Sequence, residues 1–185
     1  MLTNVAPGIY TIADVLALAE CREYVDWSES LGYELAPVSL AGGAVLRADI
    51  RNNARVMVDA HERAAQIWAR ISKDIPPVLE GRRAVGLNER LRFYRYGPGQ
   101  RFAPHTDGCH RRRNGEESLL TLMIYLSGGT RGGETRFENA SITPEPGLAL
   151  VFDHYLLHEG AQVLEGQKYV LRSDVMYGPP TLAGG

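Results

Sequence analysis

Within Tyr94-Arg95-Tyr96-Gly97-Pro98-Gly99-Gln100-Arg101-Phe102-Ala103-Pro104-His105-Thr106-Asp107-Gly108, a histidine and an aspartate stand two positions apart in a segment that reads as extended. Alternate side chains of a strand share a face, so His105 and Asp107 can point at one ion. On a helix the same spacing would turn them about 200° apart, given the 3.6-residue period. A chain with five histidines can produce one such pair by chance, so the pair needs a third ligand to acquire meaning. Downstream, Leu156-Leu157-His158-Glu159-Gly160 offers one in His158, at the start of another expected strand.

Two neutral imidazoles and a carboxylate on one face of an octahedral ion form the facial triad of non-haem Fe(II) oxygenases, which leaves three positions open for chemistry. A rival metal reading pairs His154 with His158 at the helical i, i+4 spacing that zinc sites use. The intervening Tyr155-Leu156-Leu157 lacks the glutamate of an H-E-x-x-H motif, and His154 reads better as a turn residue or one that orients a ligand. In the last expected strand, Lys168, Val170, Arg172, Asp174 and Met176 alternate with Tyr169, Leu171, Ser173, Val175 and Tyr177. One face is therefore largely charged. It suits either an edge strand facing water, the preferred reading in the absence of a triad, or a ligand-lined interior in which Lys168 or Arg172 holds a dicarboxylate.

These residues must be positioned by elements that the pattern also sketches. Apolar spacing over residues 11–32, with Thr11 as N-cap, predicts one helix ended by Gly32, and Asp59 with Glu62 opens a second that runs to about Lys73 before Pro76-Pro77. His61 belongs to that helix and reads as a surface histidine. Between the helices, Gly42-Gly43 and residues 44–58 suggest a hairpin with Asn52-Asn53 at its tip and solvated Arg51 and Arg55 beside it. From Leu91 the texture is β: strands are expected at 91–96, 102–107, 119–127, 134–138, 147–153, 157–163 and 168–177. Helices followed by strands make an α+β, mainly β, arrangement in which the helices buttress a sheet.

At 185 residues, 44% hydrophobic and 23% charged, the chain reads as a single domain over 1–185, with 1–90 as helical and hairpin support and 91–178 as the catalytic part. A net charge of −2 gives no whole-molecule argument for nucleic acid or an anionic membrane as partner. No apolar run is long enough to span a bilayer and no secretory leader is evident, so a cytoplasmic location is expected. Cys21 and Cys109 read as free thiols. His110 and the run Arg111-Arg112-Arg113 read as solvated, although the run could instead meet an acidic substrate.

Residues 92 to 177 resemble the 2-oxoglutarate and Fe(II)-dependent dioxygenase superfamily in its prolyl 4-hydroxylase-like branch. The resemblance is carried by Tyr96-Gly97-x-Gly99 through Pro104-His105-x-Asp107, Leu122-Met123-Ile124-Tyr125-Leu126, Gly132-Gly133-Glu134-Thr135-x-Phe137, Pro146-Gly147-x-Ala149-x-x-Phe152, His158-Glu159-Gly160 and Gly166-Gln167-Lys168-Tyr169. It implies a double-stranded β-helix, a cupin-like jelly roll whose mouth holds iron. His105, Asp107 and His158 match the family's Fe(II) ligands. Lys168 holds the place of the family's basic residue for the C5 carboxylate of 2-oxoglutarate, with Arg172 as second choice. Tyr96 resembles a tyrosine that contacts this cosubstrate, a part Tyr94 could also fill. The hairpin around Arg51 is similar in placement to the loop that covers substrate, which makes Arg51 and Tyr94 candidate substrate contacts. The implied reaction uses O2 and 2-oxoglutarate, with ascorbate as candidate reductant, and releases succinate and CO2 while hydroxylating a prolyl residue of a protein or peptide. Two alternatives stand beside it: hydroxylation of a free amino acid or other small metabolite, and a non-catalytic jelly-roll metal-binding module.

Overall fold

The computed structural model describes residues 2–40, 43–45, 47 and 49–180. In chain order the first part comprises β1 (Leu2–Ala6), β2 (Ile9–Ile12), α1 (Leu18–Leu31), β3 (Glu34–Leu35), β4 (Val38–Leu40), β5 (Gly43–Val45), β6 (Ala54–Asp59), α2 (His61–Ile71) and a 3-10 turn at Ser72–Asp74. The remainder is β throughout: β7 (Val78–Leu79), β8 (Arg82–Leu87), β9 (Arg90–Tyr96), β10 (Phe102–His105), β11 (Glu117–Tyr125), β12 (Arg131–Gly132), β13 (Thr135–Phe137), β14 (Ser141–Ile142), β15 (Ala149–Asp153), β16 (His158–Gly160), β17 (Val163–Glu165) and β18 (Lys168–Tyr177).

A large sheet runs in the order β1-β2-β15-β11-β18-β9-β6-β3, with β8 also paired to β18, and a smaller sheet runs β10-β16-β13-β14. The two face each other across one apolar layer that contains Tyr125, Leu150, Phe152 and Val170 from the first sheet and Ile142 from the second. Phe137 of the small sheet meets Phe152 of the large one edge-on, with centroids 5.1 Å apart. This is the jelly roll that the family resemblance implied. Strand alternation divides each central strand between two cores. Leu91 and Phe93 of β9, Leu122 and Ile124 of β11 and Leu171 of β18 face the helices, where Ala64, Ile67 and Ile71 of α2 and Cys21 and Tyr24 of α1 complete a second apolar cluster.

Several expectations for the N-terminal half need correction. Residues 11–12, expected to open the first helix, belong instead to β2, where Ile9 and Ile12 are buried and which pairs with β15 through Ile12↔Ala149 and Phe152↔Ile9. Asp14 turns the chain with φ 56°, and α1 begins only after Ala17, whose N–H donates to the Glu20 carboxylate at 2.8 Å. α2 is capped by Ala60 rather than Asp59, which instead pairs with Arg90 at 2.8 Å. His61 is exposed, as expected.

The hairpin over 44–58 does not form as expected; Gly42, Leu46 and Ala48 of that stretch lie outside the described residues. β6 pairs with β9 and β3, and Asn53 is fully buried instead of sitting at a tip. Asparagine suggests a turn because its side chain bonds nearby backbone, and here that capacity is used at long range. Asn52 Oδ1 accepts from the Arg101 N–H at 2.8 Å, which ties this segment to the strand carrying His105. β18 is a central strand between β11 and β9 and not an edge strand facing water. β1, β2, β3, β4, β7, β8, β12 and β14 lay outside the expected set.

Candidate metal and cosubstrate site

The triad is assembled by one strand pair. β10 and β16 run antiparallel with His105 directly opposite His158, and Asp107 follows β10 by two residues. One ligand atom from each of His105, Asp107 and His158 lies within 4.8 Å of the others. His105 Nε2 is 3.9 Å from Asp107 Oδ1, and His158 Nε2 is 3.7 Å from Asp107 Oδ2.

Each imidazole is oriented through its other nitrogen. His105 Nδ1 lies 2.8 Å from the Ala103 carbonyl oxygen and His158 Nδ1 2.9 Å from that of Leu156. A carbonyl only accepts, so each Nδ1 carries a proton and each Nε2 lone pair is free toward the partner carboxylate. Burial, followed by the neighbouring His158, pushes His105 down to about 4, so the ring stays neutral. His158 is lowered too, by burial first, with Asp107 opposing. Burial alone would raise the Asp107 carboxyl, but Arg172, His158 and the Thr121 hydroxyl outweigh it and hold the group at about 2. Two neutral imidazoles and an ionised carboxylate fit a divalent iron with open positions.

Behind the carboxylate runs a buried chain. Thr121 Oγ1 donates to Asp107 Oδ2 at 2.6 Å and lies 2.9 Å from His154 Nδ1, while His154 Nε2 lies 2.8 Å from Ser118 Oγ. Thr121 has one proton and gives it to Asp107, so His154 donates from Nδ1 and accepts from Ser118. His154 thus orients Asp107 through Thr121, which sequence reasoning had not singled out. The signal was present in the alternation of β11, where Thr121, Met123 and Tyr125 share a face.

Lys168 is 1% exposed and opens β18. Its Nζ donates to the Gly133 carbonyl at 2.6 Å, 5.0 Å from the centroid of the Tyr96 ring and 5.8 Å from that of Tyr125. Burial pushes it down to about 8, with Glu134 opposing. Among the described residues Lys168 has no carboxylate partner. Arg172 has two: its Nη2 lies 3.2 Å from both Asp107 Oδ1 and Asp174 Oδ1. Tyr94 and Tyr96 are both 5% exposed and, with His105, His158, Lys168 and Arg172, wall a void of about 30 Å³.

Arg51 is not solvated. It is 6% exposed, its guanidinium lies 4.6 Å from the Tyr94 ring centroid and 4.3 Å from that of Phe102, and Phe102 stacks on His105 with centroids 3.5 Å apart. Arg55 is half-buried on the adjoining strand, also against expectation. Arg112 is tied to Glu89 and Glu116 and Arg111 to Glu117, so of the expected solvated run only Arg113 lacks such a pair among the described residues. His110 is half-buried, with its N–H donating to Ser118 Oγ. Cys21 and Cys109 are free.

Residues 91–173 match the family described as the 2OG-Fe(II) oxygenase superfamily. The matched segment contains His105, Asp107, His158, Lys168 and Arg172. Among curated relatives, Prolyl 4-hydroxylase 1 of Arabidopsis thaliana is 26% identical over 192 residues, covering 89% of this chain and 67% of the relative. Prolyl 4-hydroxylase 2 of the same plant is 30% identical over 116 residues, covering 44% of this chain and 39% of the relative. The chain thus spans about two thirds of the first relative's length and about two fifths of the second's. The viral collagen prolyl hydroxylase of Paramecium Bursaria Chlorella virus-1, solved as a 2OG complex, shares this chain's fold with a TM-score of 0.64 at 21% identity over 94% of this chain and 99% of that one. A prolyl hydroxylase from Trichoplax adhaerens, solved with a hypoxia inducible factor peptide fragment, aligns at a TM-score of 0.66 and 18% identity over 91% of this chain and 83% of that one. Among the described residues, no helix is long and apolar enough to cross a membrane.

Proposed function

We propose that this protein is an Fe(II)- and 2-oxoglutarate-dependent dioxygenase that hydroxylates an unactivated C–H bond of a prolyl residue in a protein or peptide, releasing succinate and CO2. The observation that carries the reading is the convergence of His105, Asp107 and His158, with both Nδ1 atoms tied to backbone and the carboxylate ionised. When bound, the iron and the keto acid supply the oxygen chemistry. The chain's part is to bind, orient and exclude water.

In this proposal His105, Asp107 and His158 hold the ion, with Thr121 and Arg172 fixing the two oxygens of Asp107. Lys168 receives the far carboxylate of 2-oxoglutarate. The choice over Arg172 follows from existing partners, since Arg172 already faces two carboxylates and Lys168 faces only a carbonyl. Tyr96 covers Lys168, and its burial, which raises the phenol to about 12, keeps it a neutral hydrogen-bond group. Tyr94 and Arg51 form the wall on the substrate side. The whole chain, 1–185, works as one cytoplasmic unit, a reading supported by β2 pairing with β15 across the sequence and by two unpaired cysteines.

Anaerobic titration of the protein with Fe(II) and 2-oxoglutarate tests this directly. The expected result is a visible metal-to-ligand charge-transfer band that His105→Ala abolishes, followed in air by a gain of one oxygen on a prolyl peptide. Folded protein that develops no band would return the chain to a non-catalytic jelly-roll module. A band with oxidation of only free amino acids would select the small-metabolite alternative.

A further inference from the structure

A cavity of about 480 Å³ adjoins the triad and shares Tyr94, Phe102, His105, Asp107 and Arg172 with the smaller void beside Lys168. Four guanidinium groups line it: Arg51, Arg55, Arg92 and Arg172. Their counter-charges are too few. Arg92 meets Asp174 at 3.0 Å, and Arg172 is shared between Asp174 and Asp107, so two arginines use two carboxylates. Asp107 is in addition the proposed metal ligand.

Arg51 and Arg55 have no carboxylate among the described residues, and no Asp or Glu of the sequence lies outside them. Arg51 Nε donates to Asn53 Oδ1 at 2.7 Å, but its Nη2 is buried with no partner. The rings of Tyr94 and Phe102 on either side offset part of the cost of burying this cation without replacing a counter-ion. Arg55 is half-buried among like charges: burial first, and then Arg51, Arg92 and Arg172, oppose its ionisation, with Tyr94 acting the other way. 2-Oxoglutarate does not relieve the surplus, because its far carboxylate goes to Lys168 and its near end to the metal.

We propose that the substrate is an anion: it carries a carboxylate close to the carbon that is oxidised, and Arg51 and Arg55 receive it. The proposal rests on the triad reading above and narrows the substrate class within it. A carboxylate can come from an acidic side chain next to a prolyl residue or from the α-carboxylate of proline itself. Both present the same planar acceptor to paired guanidinium donors, and a cavity of this volume accommodates either.

The test uses the anaerobic Fe(II) and 2-oxoglutarate complex, whose band reports that the triad reading holds before any substrate is added. Two matched pairs are then titrated, N-acetyl-Asp-Pro-amide against its Asn counterpart, and N-acetylproline against its amide. Binding is read from the change in the band and from calorimetry. The expected result is that in at least one pair the acid binds about 10- to 100-fold more tightly than the amide, in line with a charged hydrogen bond in a partly dry site. Arg55→Gln brings the two members of that pair to within about twofold of each other, and Arg55→Lys restores part of the preference. Whichever pair responds identifies the source of the carboxylate. A normal band with equal response to acid and amide in both pairs, including no response, overturns the proposal alone, as does an acid preference that survives both Arg55→Gln and Arg51→Gln. No band in folded protein removes the triad reading and this proposal with it.

Discussion

Replacing Lys168 with methionine should make the protein more stable and its 2-oxoglutarate complex weaker. The ammonium is 1% exposed and its pKa falls from an ordinary 10.5 to about 8, a difference equivalent to roughly 3 kcal/mol of burial cost at neutral pH. Methionine matches the length of the stem, fills the space between Tyr96 and Tyr125, and forfeits the hydrogen bond to Gly133, worth about 1 kcal/mol. The net expectation is a gain of about 1–2 kcal/mol at pH 7, seen as a rise of roughly 3–6 °C in Tm for a chain of this size. The sign with pH follows from proton counting. A lysine with a depressed folded pKa binds fewer protons folded than unfolded, so stability of the parent rises between about 8 and 10.5 and its deficit relative to Lys168→Met disappears across that window. Below pH 8 the deficit is constant. In the same variant, 2-oxoglutarate should bind roughly 10- to 100-fold more weakly in the charge-transfer titration, for loss of one charge-assisted contact. In the parent that affinity should decline as pH rises above about 8, offset upward by whatever the bound carboxylate adds to the lysine's basicity. Denaturant melts at pH 7 and pH 10.5 with the anaerobic titration complete the test. A variant less stable than the parent at pH 7, or a stability difference that ignores pH, would refute the burial argument; unchanged 2-oxoglutarate affinity would refute the assignment.

Thr121→Val keeps the volume of a fully buried side chain but removes the donor to Asp107 and the acceptor for His154. Fe(II) affinity should fall about 10- to 100-fold in the competition titration, with the fold retained; an unchanged affinity would mean that Arg172 alone orients the carboxylate. Gly147 has φ 85° and accepts from the Val15 N–H at 3.0 Å, and a Cβ there would collide with the Leu16 carbonyl oxygen. Gly147→Ala should therefore cost at least about 2 kcal/mol in chemical unfolding, and a neutral result would show that the Asp14 turn docks less tightly than described.

The chemistry of the site was legible because it rests on short-range pattern. A period of two placed His105 and Asp107 on one face and marked Lys168, Arg172 and Asp174 as sharing another, and runs of β-branched and aromatic residues between glycines located most strands after Leu91 within a few residues. These signals are local, and the residues carrying them need only their neighbours in sequence to be read. The motif resemblance added the pairing of His158 with the first two ligands, which spacing alone left open.

Tertiary structure decided what depends on distant partners. Thr11 and Ile12 join a strand because β15 offers a pairing edge and apolar cover, information absent from the local sequence, whose spacing there reads as the start of a helix. Arg51 looks like a surface residue of a turn until Asn52 and Asn53 bond to remote backbone and to Arg51 itself, which carries its guanidinium between two rings beside the metal site. The same holds for Arg172. The charged face it shares with Asp174 suited a strand facing water, whereas the central position of β18 buries that face and brings Asp107 to Arg172 as a second partner. Side-chain type and spacing determine which groups can hold iron and a keto acid; the burial of charge, and so the surplus of arginine beside the triad, exists only once the sheets have closed.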